Sequence, residues 1–171
     1  MIKHIMHSCR QLLPFILILS FSFSFSFPIG CSHNSNNNET MNNKKIIRQA
    51  FEKWSAGEGN FFDLLTDNVI WTITGNSPVS KTYFSRQQFL DEVIQPLNKK
   101  FSKKIVPKLR GLYADGDMVI ALWDGTATAT DGRPYVNTYS WYMKMKKWKI
   151  IEVIAFFDTI EFTGLWERVK N

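Results

Sequence analysis

Tyr135-Val-Asn-Thr-Tyr-Ser-Trp-Tyr-Met-Lys-Met145 is the stretch that decides the fold. A β-strand repeats every two residues, so it places Tyr135, Asn137, Tyr139, Trp141 and Met143 on one face. It is the middle one of three strand candidates that run from Tyr113 to Asp158, hinged by the turns Asp115-Gly-Asp117 and Asp131-Gly-Arg-Pro134. The next strand ends in Ala155-Phe-Phe-Asp-Thr159. A sheet face carrying amide, phenol and indole, with a carboxyl nearby, suits a pocket lining better than a plain core. It locates a site without naming a substrate.

Upstream of these strands the pattern is helical. Ile46, Ile47, Ala50, Phe51 and Trp54 follow the one-face spacing of a 3.6-residue repeat, and Gly57 and Gly59 end that helix. A short second helix fits Phe61 to Leu65, and Asp67-Asn68 turns the chain into a strand over Val69 to Thr74, which Gly75 to Pro78 breaks. Ser85 is a good N-cap for a helix from Arg86 to Leu97, limited by Pro96. From Phe101 onward the pattern is all strand, until a last helix around Thr163 to Val169. Helix, helix, strand, helix and then a meander of strands argue for α+β, with helices packed on one antiparallel sheet.

The first thirty residues stand apart. Lys3 and Arg10 charge the start, Gln11 to Ile29 contains no charged residue, and an apolar tract runs into Phe21-Ser-Phe-Ser-Phe-Ser-Phe27. That is the order of a secretory signal peptide. As a membrane-spanning helix it would be interrupted by Pro14 and diluted by four serines. Ile29-Gly-Cys31 resembles the end of a bacterial lipobox, although Pro28 departs from the usual Leu. With Cys9 removed, Cys31 is the only thiol left, so an internal disulfide is excluded. The expectations are a signal over 1–30, a flexible polar tether over 31–43 with Cys31 as the lipidation site, and a domain over 44–171. The product would be a lipoprotein of a bacterial cell envelope, anchored at a membrane surface, or periplasmic or secreted if Cys31 is not lipidated. The net charge is +6, of which Lys3 and Arg10 supply two. The remaining excess lies in the runs Lys99 to Arg110 and Lys144 to Lys149. These read as solvated strand faces and a polar turn, with no nucleic-acid partner.

Ala114-Asp-Gly-Asp-Met-Val-Ile-Ala-Leu-Trp123, Gly132-Arg-Pro-Tyr-Val-Asn-Thr-Tyr-Ser-Trp141 and Ile150-Ile-Glu-Val-Ile-Ala-Phe-Phe-Asp-Thr159, with Trp71 on the earlier strand, resemble SnoaL-like proteins. The nearest subgroup is described as ketosteroid isomerase-related. The resemblance covers about Lys44 to Phe162 and lies in the order and spacing of the segments. Lys146-Lys147 stand where that family often has a glycine. The resemblance implies a cone-shaped fold of the nuclear transport factor 2 type, with a curved sheet wrapped around a pocket that helices close. Enzymes of that superfamily mostly move protons in an apolar pocket, while many members have no catalytic role, so fold alone selects no reaction.

Asp158 matches the family's pocket-facing Asp. Flanked by Phe156 and Phe157, it is the candidate acid/base, or else the cap of the last helix. Asn137 and Tyr139 are candidate donors to a carbonyl, or braces of the sheet. Trp71, Trp141 and Phe156 are candidate apolar walls and Tyr83 a rim residue, while Trp123 is expected to face outward and Asp124 to offer a second pocket carboxyl. The histidines, His4, His7 and His33, all precede residue 44, which excludes Ser-His or Cys-His nucleophile chemistry in the domain. Neither a metal nor another cofactor is expected. Two readings follow: a module that binds a small apolar molecule, or pairs through its sheet as a homodimer; and a proton-transfer enzyme acting on a small carbonyl compound.

Overall fold

The computed structural model describes residues 33–170, with side chains from residue 37; the signal segment and Cys31 lie outside them. Helix α1 spans His33–Ser55, a 3-10 turn spans Phe61–Leu64, and strands β1 and β2 span Leu65–Ile73 and Thr82–Tyr83. The helical run that follows has three parts: α2 Arg86–Phe89, a π-helical turn Leu90–Ile94, and α3 Gln95–Lys99. Strands β3 Phe101–Asp115, β4 Met118–Ala129, β5 Pro134–Lys146 and β6 Lys149–Phe157 form the meander, and α4 Thr159–Arg168 closes the chain.

The six strands make one sheet in the order β2-β1-β6-β5-β4-β3. All neighbours are antiparallel except β1 and β6, which run parallel because β1 joins the meander only through long-range pairing, with Trp71 opposite Val153. Register shifts in β3 interrupt its ladder with β4, and such irregularities bend a strand and tighten its twist. Helix α1 packs on β3 and β4.

On β5 the alternation predicted from sequence holds: Tyr135, Asn137, Tyr139, Trp141, Met143 and Met145 are buried. This inward face sets the parity of its neighbours, since residues directly opposite in a ladder share a face. Trp123 lies opposite Tyr139, Ala121 opposite Trp141 and Val119 opposite Met143. On the other side, Phe157 faces Tyr139 and Ala155 faces Trp141. Trp123 is therefore inside, and Leu122 and Asp124, expected to be inside, are outside. Leu122 misled because a half-buried leucine on the outer sheet face resembles a core residue when one strand is read alone.

Three helix boundaries also differ from expectation: α4 starts at Thr159 rather than Thr163, because Asp158 caps it, and two others shift further. Helix α1 begins at His33, so the stretch expected as a flexible tether is mostly helical. Thr40 donates to the Gly116 carbonyl at 3.2 Å and Asn43 is buried, so docking overrides the weak helix propensity of an Asn-rich sequence. Downstream, the helical run passes Pro96 to Lys99. The π turn, closed by the Gln95 N–H on the Leu90 carbonyl, lets a new helical segment start with proline in its first turn. There its missing N–H costs nothing.

Candidate functional site, an aromatic-walled cavity

The inner face of β1, β4, β5 and β6, the end of α1 and the run Phe89–Asn98 enclose a cavity of about 820 Å³. Its wall is a belt of rings in alternating orientation. Phe89 lies flat on Trp71, 4.1 Å between centroids. Trp71 meets Trp141 edge-on at 5.2 Å, and Trp141 meets Trp123 edge-on at 4.8 Å. Trp123 then lies flat on Tyr139 at 4.0 Å. Trp54, from the apolar stripe of α1, reaches across to stack on Trp141 and meet the edge of Trp123. Such offset and edge contacts suit the ring quadrupoles and hold the wall rigid.

The rim is polar and lacks acids. Asn60, Gln95, Asn98, Lys103 and Lys104 line it, and no Asp, Glu, His or Cys is among the lining residues. The indole N–H groups of Trp71 and Trp123 are buried and find no acceptor among the described residues. Buried donors in folded proteins are nearly always partnered. Both nitrogens are sealed within the wall, out of reach of the cavity as well as of bulk solvent.

The structure divides the residues expected at the site. Trp71, Tyr139 and Trp141 line the cavity; Tyr83, Asn137, Phe156 and Asp158 do not. Asp158 is exposed and caps α4, its carboxylate accepting from the Ile160 and Glu161 N–H groups at 2.9 and 3.2 Å. The strand ends at Phe157, so the inward parity of β6 stops one residue short of it, and the expected acid/base lies outside the cavity. Asn137 is buried but spoken for. Its amide donates to the Asp158 carbonyl at 2.9 Å and to the Tyr135 hydroxyl at 3.0 Å, and accepts from the Asp158 N–H at 3.0 Å. It extends the β5–β6 ladder into the start of α4 and serves as a brace.

Phe156 lies on the outer face against Tyr142, its ring 5.6 Å away. Tyr83, expected at the rim, is a core residue of β2 whose hydroxyl donates to the Val79 carbonyl at 2.7 Å; desolvation by burial, then the nearby Glu92 charge, push its phenol up to about 12. Asp124, on the outer face, accepts from Thr138 and lies 3.5 Å from Arg110. The phenol of Tyr139 is bonded to that of Tyr135 at 2.8 Å. Desolvation raises both, Tyr135 to about 12 and Tyr139 well above the usual range, so both stay neutral and can donate.

Sequence reading missed Trp54, Phe61, Phe62 and Phe89 as wall residues. All four lie on apolar stripes legible from their spacing, but nothing local distinguishes a stripe facing a cavity from one facing a packed core.

A curved sheet with helices closing its concave side over an apolar cavity is the nuclear transport factor 2-like fold. The comparisons agree on the fold and stop there. Bal32a, from a soil-derived mobile gene cassette, matches with a TM-score of 0.64 at 17% identity, over 75% of this chain and 99% of its own. A nuclear transport factor 2-like protein of Burkholderia thailandensis matches at 0.61 and 18% identity, over 72% and 95%. TerC, co-crystallised with polyporic acid, matches at 0.60 and 16% identity, over 73% and 98%. No family model and no curated protein matches the sequence.

Proposed function

We propose that the domain binds a flat, largely apolar small molecule without catalysing its conversion. The observation that carries this reading is the aromatic belt from Phe89 to Tyr139, with no carboxylate among the lining residues. Proton transfer in an apolar pocket needs an acid or base within reach of the substrate; Asp158 is outside, burial holds the Tyr139 phenol neutral, and Lys103 and Lys104 stand at the rim, away from the aromatic floor. TerC, on the same fold, was co-crystallised with polyporic acid, which supports a fold that takes small molecules. The N-terminal sequence supports export and acylation at Cys31, and the outer face around Tyr142 and Phe156 is where a second copy would pair.

The test is titration with 1-anilinonaphthalene-8-sulfonate, a flat apolar probe bearing acceptors. Saturable one-to-one binding is expected, lost when Ile94→Trp fills the cavity. A probe that binds weakly and equally well to both chains would overturn the reading.

A further inference from the structure

The hairpin joining β5 to β6 turns on two residues, Lys147 and Trp148, since Lys146 lies opposite Lys149. Both have positive φ, 48° and 65°. That left-handed pair suits the twist of a two-residue hairpin, which is why Asn-Gly or Gly-Gly usually fills it. Here it holds a lysine and a tryptophan, and a bulky side chain in this region is strained. The strain has a visible result. Trp148 is 52% exposed at the end of the sheet, flanked by Lys146, Lys147 and Lys149, all exposed.

The neighbouring charges leave this tip basic. Asp117, on the adjacent β3–β4 turn with Asp115, lies 3.9 Å from Lys144. Lys149 donates to the Asp63 backbone carbonyl, an uncharged partner. Lys146 and Lys147 make no ion pair among the described residues.

Position adds a second argument. The Met145 N–H donates to the Asp117 carbonyl, and Thr40 of α1 binds Gly116 of the same turn. The tip and the first half of α1 thus share one end of the domain. His33 lies seven residues before Thr40, about 10 Å further along the helix axis, so the start of α1 lies at this end. The cavity is bordered by Lys103–Val106, near the opposite end of β3 from Asp115.

We infer that the Lys146–Lys149 tip docks on an anionic lipid surface, with Trp148 seated at headgroup depth. An indole prefers the bilayer interface, and lysines beside it add attraction to anionic headgroups. The strained turn is then what directs the ring outward. Docking in this orientation leaves the mouth of the cavity turned away from the bilayer. The inference stands independently of what the cavity binds.

The test uses the full chain with vesicles of phosphatidylcholine, alone or mixed with phosphatidylglycerol, whose acyl chains carry bromine to quench tryptophan. The N-terminal segment is common to every comparison, so differences report the tip. Quenching on anionic vesicles is expected to lose one component in Trp148→Phe. The lipid concentration needed should rise on the order of tenfold in the double variant Lys146→Gln/Lys147→Gln. Trp148→Gly should raise the urea midpoint, by relieving the left-handed residue, while weakening the vesicle response. The inference is overturned if Trp148→Phe quenches like the parent chain, if neutral vesicles quench equally, or if heparin occupies the tip while vesicles do not.

Discussion

The indole of Trp123 lies flat on the ring of Tyr139, 8° between planes, and the two residues are direct cross-strand partners. The stack is therefore a product of register: a one-residue slip between β4 and β5 would put Trp123 on the outer face. Trp123→Leu removes this contact and the edge contacts to Trp54 and Trp141. It is expected to lower stability by about 3 kcal/mol, the scale for truncating a buried aromatic, as read by urea denaturation.

Asp158 is a cap, which separates two substitutions. Asp158→Ala is expected to cost about 1 kcal/mol, and Asp158→Asn only a few tenths, because asparagine caps as well as aspartate. Neither should alter probe binding. Loss of binding in the Asn variant with stability intact would return the carboxylate to the site.

Asn137→Ala removes three hydrogen bonds and leaves the Asp158 backbone groups without their side-chain partner, while the Tyr135 hydroxyl keeps only Tyr139. A cost of about 2 to 3 kcal/mol is expected, with hydrogen exchange accelerated first in α4. Uniform acceleration throughout the sheet would argue against a local brace.

High pH should unfold the protein through its buried phenols. Tyr135 is pushed up to about 12, chiefly by desolvation, and Tyr139 is raised from the same cause. Unfolded phenols ionise near 10, so above that pH the native state holds more protons than the unfolded state. Stability is then full below about pH 10 and falls as pH rises toward 12, by up to about 1.4 kcal/mol per pH unit per phenol. Urea midpoints across that range check the sign, and Tyr135→Phe should flatten the slope.

The fold was legible because β5 alternates cleanly and the two turns before it are marked by Gly116 and Gly132, so one strand could orient the meander. What stayed hidden has a common cause. Trp123, Phe156 and Asp158 were each placed by local context, whereas their faces depend on register with a neighbour and on where β6 stops. Helix α1 was cut short because its polar first half is held by Gly116, a partner 76 residues away. Tyr83 seemed free in a loop because a two-residue strand leaves no periodicity to read.

The parallel pairing of β1 with β6 also governs the order of assembly. Leu65 meets Ile150 and Trp71 meets Val153, so part of the aromatic belt waits for a strand made about eighty residues later. Contacts this distant in sequence form slowly, because a long loop must close before they contribute. A chain that emerges N-terminus first holds Trp71 and Phe89 without their β5 and β6 counterparts until those strands are free. A nascent chain therefore completes the cavity wall only after β6 has emerged.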